Sequence, residues 1–168
     1  MKKVAAVMGL LMVWLFVNPG LWSQEKDRAE LAKAVARAKV SLEQGLSASA
    51  HTGKPISAKF EIEDGKLQLS VYTAKGDTFS EVVVDNNTGK AAKTESITSG
   101  EDLSAAKTQS EAMAKAKQSL SVTLAGVLKG KPGFRAVSIF PVLKDGHPVA
   151  EVTLTKGDEW KTVSEKLD

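Results

Sequence analysis

The stretch from Phe60 to Lys90 constrains the fold more than any other part of this chain. Just before and into it, Ile56, Ala58, Phe60 and Ile62 alternate with Ser57, Lys59, Glu61 and Glu63. A period of two puts the first set on one face of a strand and predicts water for the second. Asp64-Gly65 predicts a two-residue hairpin, because Gly accepts positive φ and Asp tolerates it. Leu67, Leu69 and Val71 restart the alternation, and Lys75-Gly76-Asp77 breaks it again. Phe79 to Val84 is a third run, rich in β-branched residues. Asp85-Asn86-Asn87-Thr88-Gly89 supplies side chains that bond their own backbone and a Gly for a left-handed position. Ala91 to Ile97 reads as a thin fourth strand.

A helix is expected before these strands. Asp27 with Glu30 three residues on has the form of a capping box. Leu31, Val35, Ala38, Leu42 and Leu46 recur at helical spacing and form one stripe. The helix should fade between Gly45 and Gly53. A second helix is expected from Ser99 or Ser104, with Met113, Ala116, Leu120 and Leu124 on its stripe. Gly130-Lys131-Pro132-Gly133 should end it, since Pro cannot continue a helix.

The two halves of the chain match in order. Ala38 to Leu42 corresponds to Ala116 to Leu120, and Gly53-Lys54-Pro55 to Gly130-Lys131-Pro132. Asp64-Gly65 corresponds to Asp145-Gly146, Lys75-Gly76-Asp77 to Lys156-Gly157-Asp158, and Phe79 to Trp160. One insertion near Ser138 to Pro141 would account for the drift in spacing. The economical reading is an α+β fold of two repeats. Each is an amphipathic helix on a three- to four-stranded antiparallel meander. The expected division is a signal peptide at 1–23, a first repeat at 24–97, a linker at 98–104 and a shorter second repeat at 105–168. The repeats would share a core or extend one another's sheet.

Residues 1–23 predict export. Lys2 and Lys3 precede an uncharged apolar run, Val4 to Val17, which Asn18-Pro19-Gly20 interrupts. That is the layout of a signal peptide, with cleavage expected near Ser23. The run is short for a membrane span of about 20 residues, so membrane contact is expected only if the segment stays uncleaved. The chain carries 23 basic and 20 acidic residues. Both basic residues of the first 23 go with that segment, so the mature charge is close to balanced. No basic face is implied, and nucleic acid is not an expected partner. Without cysteine there is no disulfide, thiolate metal site or cysteine nucleophile.

The small Ala-rich helix, Gly53-Lys54-Pro55, the strand ending Glu63-Asp64-Gly65-Lys66, the Leu-Val-Tyr strand and Val84-Asp85-Asn86-Asn87-Thr88-Gly89-Lys90 together resemble the PepSY domain. The last stretch is similar to that family's Val-Asp-x-x-Thr-Gly-Lys ending. The resemblance covers residues 27–97 and, more loosely, 105–168. It implies an envelope or secreted protein that binds other polypeptides, with protease restraint as one role. It carries no catalytic residues.

Chemistry-bearing residues are few. His51 at a helix end and His147 beside a turn read as surface histidines. Glu61, Glu63 and Asp64 cluster, and read as a wet strand face before a calcium site. Asn86-Asn87-Thr88 fits a glycosylation acceptor but is more simply the turn. Nothing resembles a nucleophile elbow or a cofactor motif. The expected function is therefore polypeptide binding without catalysis, the alternative being a small-ligand or cation binder. Phe79 and Trp160 are expected in equivalent core positions. Tyr72 is expected to face outward as a contact residue. Thr162 and Ser164 mark the last strand, whose edge should be open to a partner strand.

Overall fold

The computed structural model describes residues 21–168. The expected signal segment lies outside them, except for residues 21–23, which open the first helix. The fold is α+β, and the described residues form four helices and one seven-stranded antiparallel sheet. In chain order the elements are α1 (Leu21–Arg37), α2 (Leu42–Ser49), β1 (Lys54–Glu63), β2 (Lys66–Lys75), β3 (Thr78–Val84) and β4 (Ala91–Ile97). There follow α3 (Gly100–Lys115), α4 (Leu120–Lys129), β5 (Arg135–Lys144), β6 (His147–Lys156) and β7 (Glu159–Lys166).

Each expected helix is in fact two. Asp27 lies inside α1 rather than capping it, and the chain breaks before α2. The break is made by Ser41. Its Oγ accepts the Gln44 N–H at 3.3 Å, and Gln44 Oε1 accepts the Ser41 N–H at 2.8 Å. This reciprocal pair satisfies two donors that a new helix start leaves open. Ser119 opens α4 similarly, accepting the Val122 N–H at 3.3 Å. The matched segments Ala38 to Leu42 and Ala116 to Leu120 are therefore caps between helices. The expected linker at 98–104 is mostly helical, because α3 starts at Gly100 with Ser99 as its cap residue.

The strands read from Phe60 to Lys90 are present. Asp64 and Gly65 have φ of 48° and 72°, the left-handed pair that a tight hairpin needs. The Asp85 carboxylate accepts the N–H groups of Asn87 and Thr88 at 3.0 and 2.7 Å, which closes the turn into β4.

The strands of both halves lie in one sheet, larger than the expected three- to four-stranded meanders, in the order β4-β3-β2-β1-β5-β6-β7. β1 and β5 join its two sides, with Ala58 opposite Ile139 and Lys59 opposite Ser138. From Lys54 to Arg135, Lys66 to His147 and Thr78 to Glu159, the second set of strands recurs 81 residues after the first. Both β1 and β5 carry an irregularity at the same place, between Pro55 and Ser57 and between Ala136 and Ser138. The spacing of 81 already holds at the start of β5, so the change in spacing expected at Ser138 to Pro141 falls before that strand instead. Gly53 runs straight into β1. Lys131 to Phe134 instead makes a turn of its own, with the Phe134 N–H donating to the Lys131 carbonyl at 3.1 Å.

The register sorts residues onto two faces. Ala58, Phe60, Leu69, Val71, Val82, Ile139, Val152 and Leu154 share the first, and all are buried. α2 and α4 pack side by side over it. α2 comes so close that a Cβ built on Gly45 would sit 2.7 Å from Leu69 Cδ2. The second face carries Ser57, Lys59, Glu61, Ser70, Tyr72, Phe79 and Glu81. The sequence put the strand's polar set in water, but α3 crosses this face. Ser57 is buried, and its Oγ donates to Gln109 Oε1 at 2.7 Å.

Candidate functional site

β7 is the last strand of the sheet, and its outer side has no neighbouring strand among the described residues. It follows a two-residue turn in which Gly157 has φ of 60°. Lys156 and Glu159 close that turn as a hydrogen-bonded pair, and antiparallel pairs then alternate in type. Trp160, Thr162, Ser164 and Lys166 fall on the other type of pair. Their N–H and C=O groups point away from β6, into the open edge. The Leu167 N–H donates to the Pro148 carbonyl at 2.9 Å, which is the bond this phase requires. β7 keeps its register with β6 from Glu159 to Lys166, without a bulge.

The opposite edge, β4, is built differently. Val83 faces Lys93 and Val84 faces Ala91, so Ala92 is an extra residue that bulges the strand. A bulge twists an edge and disrupts further pairing. Lys93 and Glu95 pair at 2.8 Å on its surface.

Two of the sequence-predicted contact residues, Thr162 and Ser164, are exposed on the β7 edge. Ser164 Oγ donates to Glu151 Oε1 at 2.6 Å, and Lys144 Nζ donates to Ser164 Oγ at 3.2 Å and pairs with Glu151. The third, Tyr72, is elsewhere and is not outward. It is 7% exposed on β2, a central strand that β1 and β3 flank and α3 covers. Its hydroxyl donates to Glu81 Oε1 at 3.5 Å, and Lys59 Nζ lies 5.9 Å from its ring centre. Burial, followed by the charge of Glu81, pushes the Tyr72 phenol well above its usual range. Glu81 itself is raised, chiefly by burial, while a hydrogen bond from Ser70 opposes the shift. This pocket of polar groups is part of the packing between the sheet and α3.

Sequence reasoning missed Leu167. It is fully buried, and its carbonyl accepts the N–H groups of Lys117 and Gln118 at 2.7 and 3.0 Å. β7 is thereby pinned to the α3–α4 junction at one end. At the other end Arg28 of α1 stacks over Trp160, 4.7 Å from the ring centre. Trp160 is half-buried, unlike its expected counterpart Phe79, which is buried. A lone apolar residue one step beyond a charged strand gave no periodic signal. His147 Nδ1 lies 2.8 Å from Asp168 Oδ2, and that hydrogen bond, with the charge of His147, lowers the Asp168 carboxyl. Among the described residues, no group of three His, Cys, Asp or Glu side chains could hold a metal ion.

No family model matches this chain, and no curated protein does. A crystal structure of a candidate lipoprotein from Clostridium difficile 630 is similar to it, with 15% identity and a TM-score of 0.39, over 71% of this chain and 79% of that one.

Proposed function

We infer that this chain is an exported, non-enzymatic binding protein that takes an extended polypeptide at the free edge of β7. One observation carries the reading. An eight-residue edge strand, unbulged and pinned at both ends, presents the N–H and C=O groups of Trp160, Thr162, Ser164 and Lys166 outward. A strand added there gains backbone hydrogen bonds, and alternate side chains set the choice of partner. Pinning reduces the ordering cost of binding. The reading includes two PepSY-like repeats, 24–97 and 105–168, which the 81-residue recurrence of strands supports. The resemblance adds an envelope or secreted protease as one class of partner. Export rests on the pattern of residues 1–23. Among the described residues, no helix is long and apolar enough to cross a membrane.

The alternative, a small-ligand or cation binder, has one observation in its favour. Asn86 Oδ1 is buried without a hydrogen-bond partner beside a concavity of about 450 Å³ that Glu63, Asp64 and Asp85 help to line. A thermal-shift series against divalent cations and small polar metabolites tests it, because a ligand bound only to the native state raises the midpoint.

The edge itself is tested by Thr162→Pro and Ser164→Pro. Each removes an N–H that points outward and leaves the ladder to β6 intact. Both variants should keep the native circular dichroism spectrum and fail to capture polypeptides that the unaltered protein draws from envelope extract. Capture unchanged in both variants would rule the edge out.

A further inference from the structure

We propose that the strand this edge takes is β7 of a second copy, so that two chains form one fourteen-stranded antiparallel sheet. This rests on the reading of β7 as a strand-accepting edge and names its occupant. Two identical edges pair antiparallel about a two-fold axis, and such a contact closes on a dimer. Hydrogen bonding requires the outward-facing residues to lie opposite outward-facing residues, so the axis must pass through a residue of β7 and not between two. Three axes near the middle of the strand satisfy this, through Thr162, Val163 or Ser164.

Only the axis through Val163 matches the charges. It places Lys161 opposite Glu165 of the second copy, and Glu165 opposite its Lys161. Val163 then faces its own copy at the centre, on the same side of the sheet as these two ion pairs. On the other side Thr162 faces Ser164, and Trp160 faces Lys166. These four face one another as the hydrogen-bonded pairs, since their backbone groups are the ones that point outward. Lys161 and Glu165 form the other pair type, in which side chains approach more closely. An axis through Thr162 would set Glu159 against Glu165, two like charges. An axis through Ser164 would set Val163 against Glu165.

The side chains are available for this exchange. Lys161, Thr162, Ser164, Glu165 and Lys166 are exposed, and Val163 is half-buried at the strand surface. Lys161 pairs with Glu159 at 2.9 Å, both well exposed, and lies 4.6 Å from the Phe134 ring centre. Turning to Glu165 replaces one exposed ion pair with another. On β4 an axis through Thr94 would also set Lys93 opposite Glu95, but the bulge at Ala92 limits the regular ladder about that axis to these three residues, against seven on β7 from Trp160 to Lys166. Pairing of β4 to β7 would build an open chain of molecules instead of a dimer.

Sedimentation equilibrium over a range of concentrations tests this on the whole protein. The unaltered chain should approach twice the monomer mass. Lys161→Glu and Glu165→Lys should each weaken the dimer at least tenfold, because each puts two like-charged pairs across the axis. An equimolar mixture of the two variants should restore the dimer mass, since each Glu at 161 then meets a Lys at 165. The doubly reversed variant should dimerise like the unaltered chain. Ser164→Pro, still folded by circular dichroism, should be monomeric. A monomer mass throughout would overturn the proposal, as would a dimer that ignores the single reversals. If a monomeric chain still captured a foreign polypeptide and Ser164→Pro abolished capture, the second copy alone would fall, and strand addition would stand.

Discussion

Ala58 of β1 lies opposite Ile139 of β5, and each is the fifth residue of its strand. An antiparallel pair in which a position meets its own counterpart has a local two-fold relation between its strands. Both side chains are buried on the face that α2 and α4 cover, so this one pair joins the two sides of the sheet into one core. Ile139→Ala removes packing from that junction and should cost about 2–5 kcal/mol. Trp160 is the sole tryptophan after residue 22. In the form lacking residues 1–23, its fluorescence should therefore follow the far side of the sheet from β4. Unfolding followed by fluorescence and by circular dichroism should coincide, before and after the substitution. Two separated transitions would show that the halves fold independently.

Phe79 and Trp160 occupy equivalent places on β3 and β7 but different environments. Phe79 is 6% exposed on the face that α3 crosses, opposite Ala74 and Ile97. Phe79→Ala should cost about 3–5 kcal/mol in urea unfolding. Trp160→Ala should cost less, because its ring is half-exposed and rests against Arg28. An equal or larger loss at Trp160 would contradict this difference in burial.

Gly45 sits within α2, where helix propensity alone favours alanine by about 1 kcal/mol. Packing should reverse the sign. The new Cβ would meet Leu69, a fully buried side chain, at 2.7 Å. Gly45→Ala should therefore lower the thermal midpoint, and a higher midpoint would show that α2 can lift off β2 freely.

Glu81 and Asp85 should give opposite responses to pH. Burial raises Glu81 above its ordinary 4.5, so proton binding favours the native state. That contribution is fully present below pH 4.5 and is lost as pH rises through the folded value. Glu81→Gln should raise the midpoint at neutral pH, with a gain that shrinks towards pH 4.5. Asp85 is lowered below 3.8 by hydrogen bonds from the Thr88 backbone and side chain and the Asn87 backbone. Its contribution is present above pH 3.8 and is lost as pH falls through the folded value. Asp85→Asn should lower the midpoint at neutral pH, with a loss that shrinks below pH 3.8. Midpoints measured from pH 3 to pH 7 check both.

Local chemistry was legible in the sequence because it acts between near neighbours. Asp64-Gly65, Gly76 and Asp85 to Gly89 determine turns by the φ values and side-chain bonds they permit, whatever surrounds them. The alternation about Phe60 and the stripe from Leu31 to Leu46 marked the buried sides of a strand and of α1 and α2. Thr162 and Ser164 were recognisable as residues of a final strand. Tertiary structure decided the rest. The sequence could not show that β1 meets β5, because pairing between distant strands depends on shapes and registers that no local window contains. It could not show α3 lying over the polar side of β2, which turned Tyr72 from a surface residue into a buried one. Nor did it show that Leu167 anchors β7, since a single apolar residue has no period. The open edge of β7 follows from that long-range order of strands, while the charges that suit it to a second copy were written in Lys161 and Glu165 from the start.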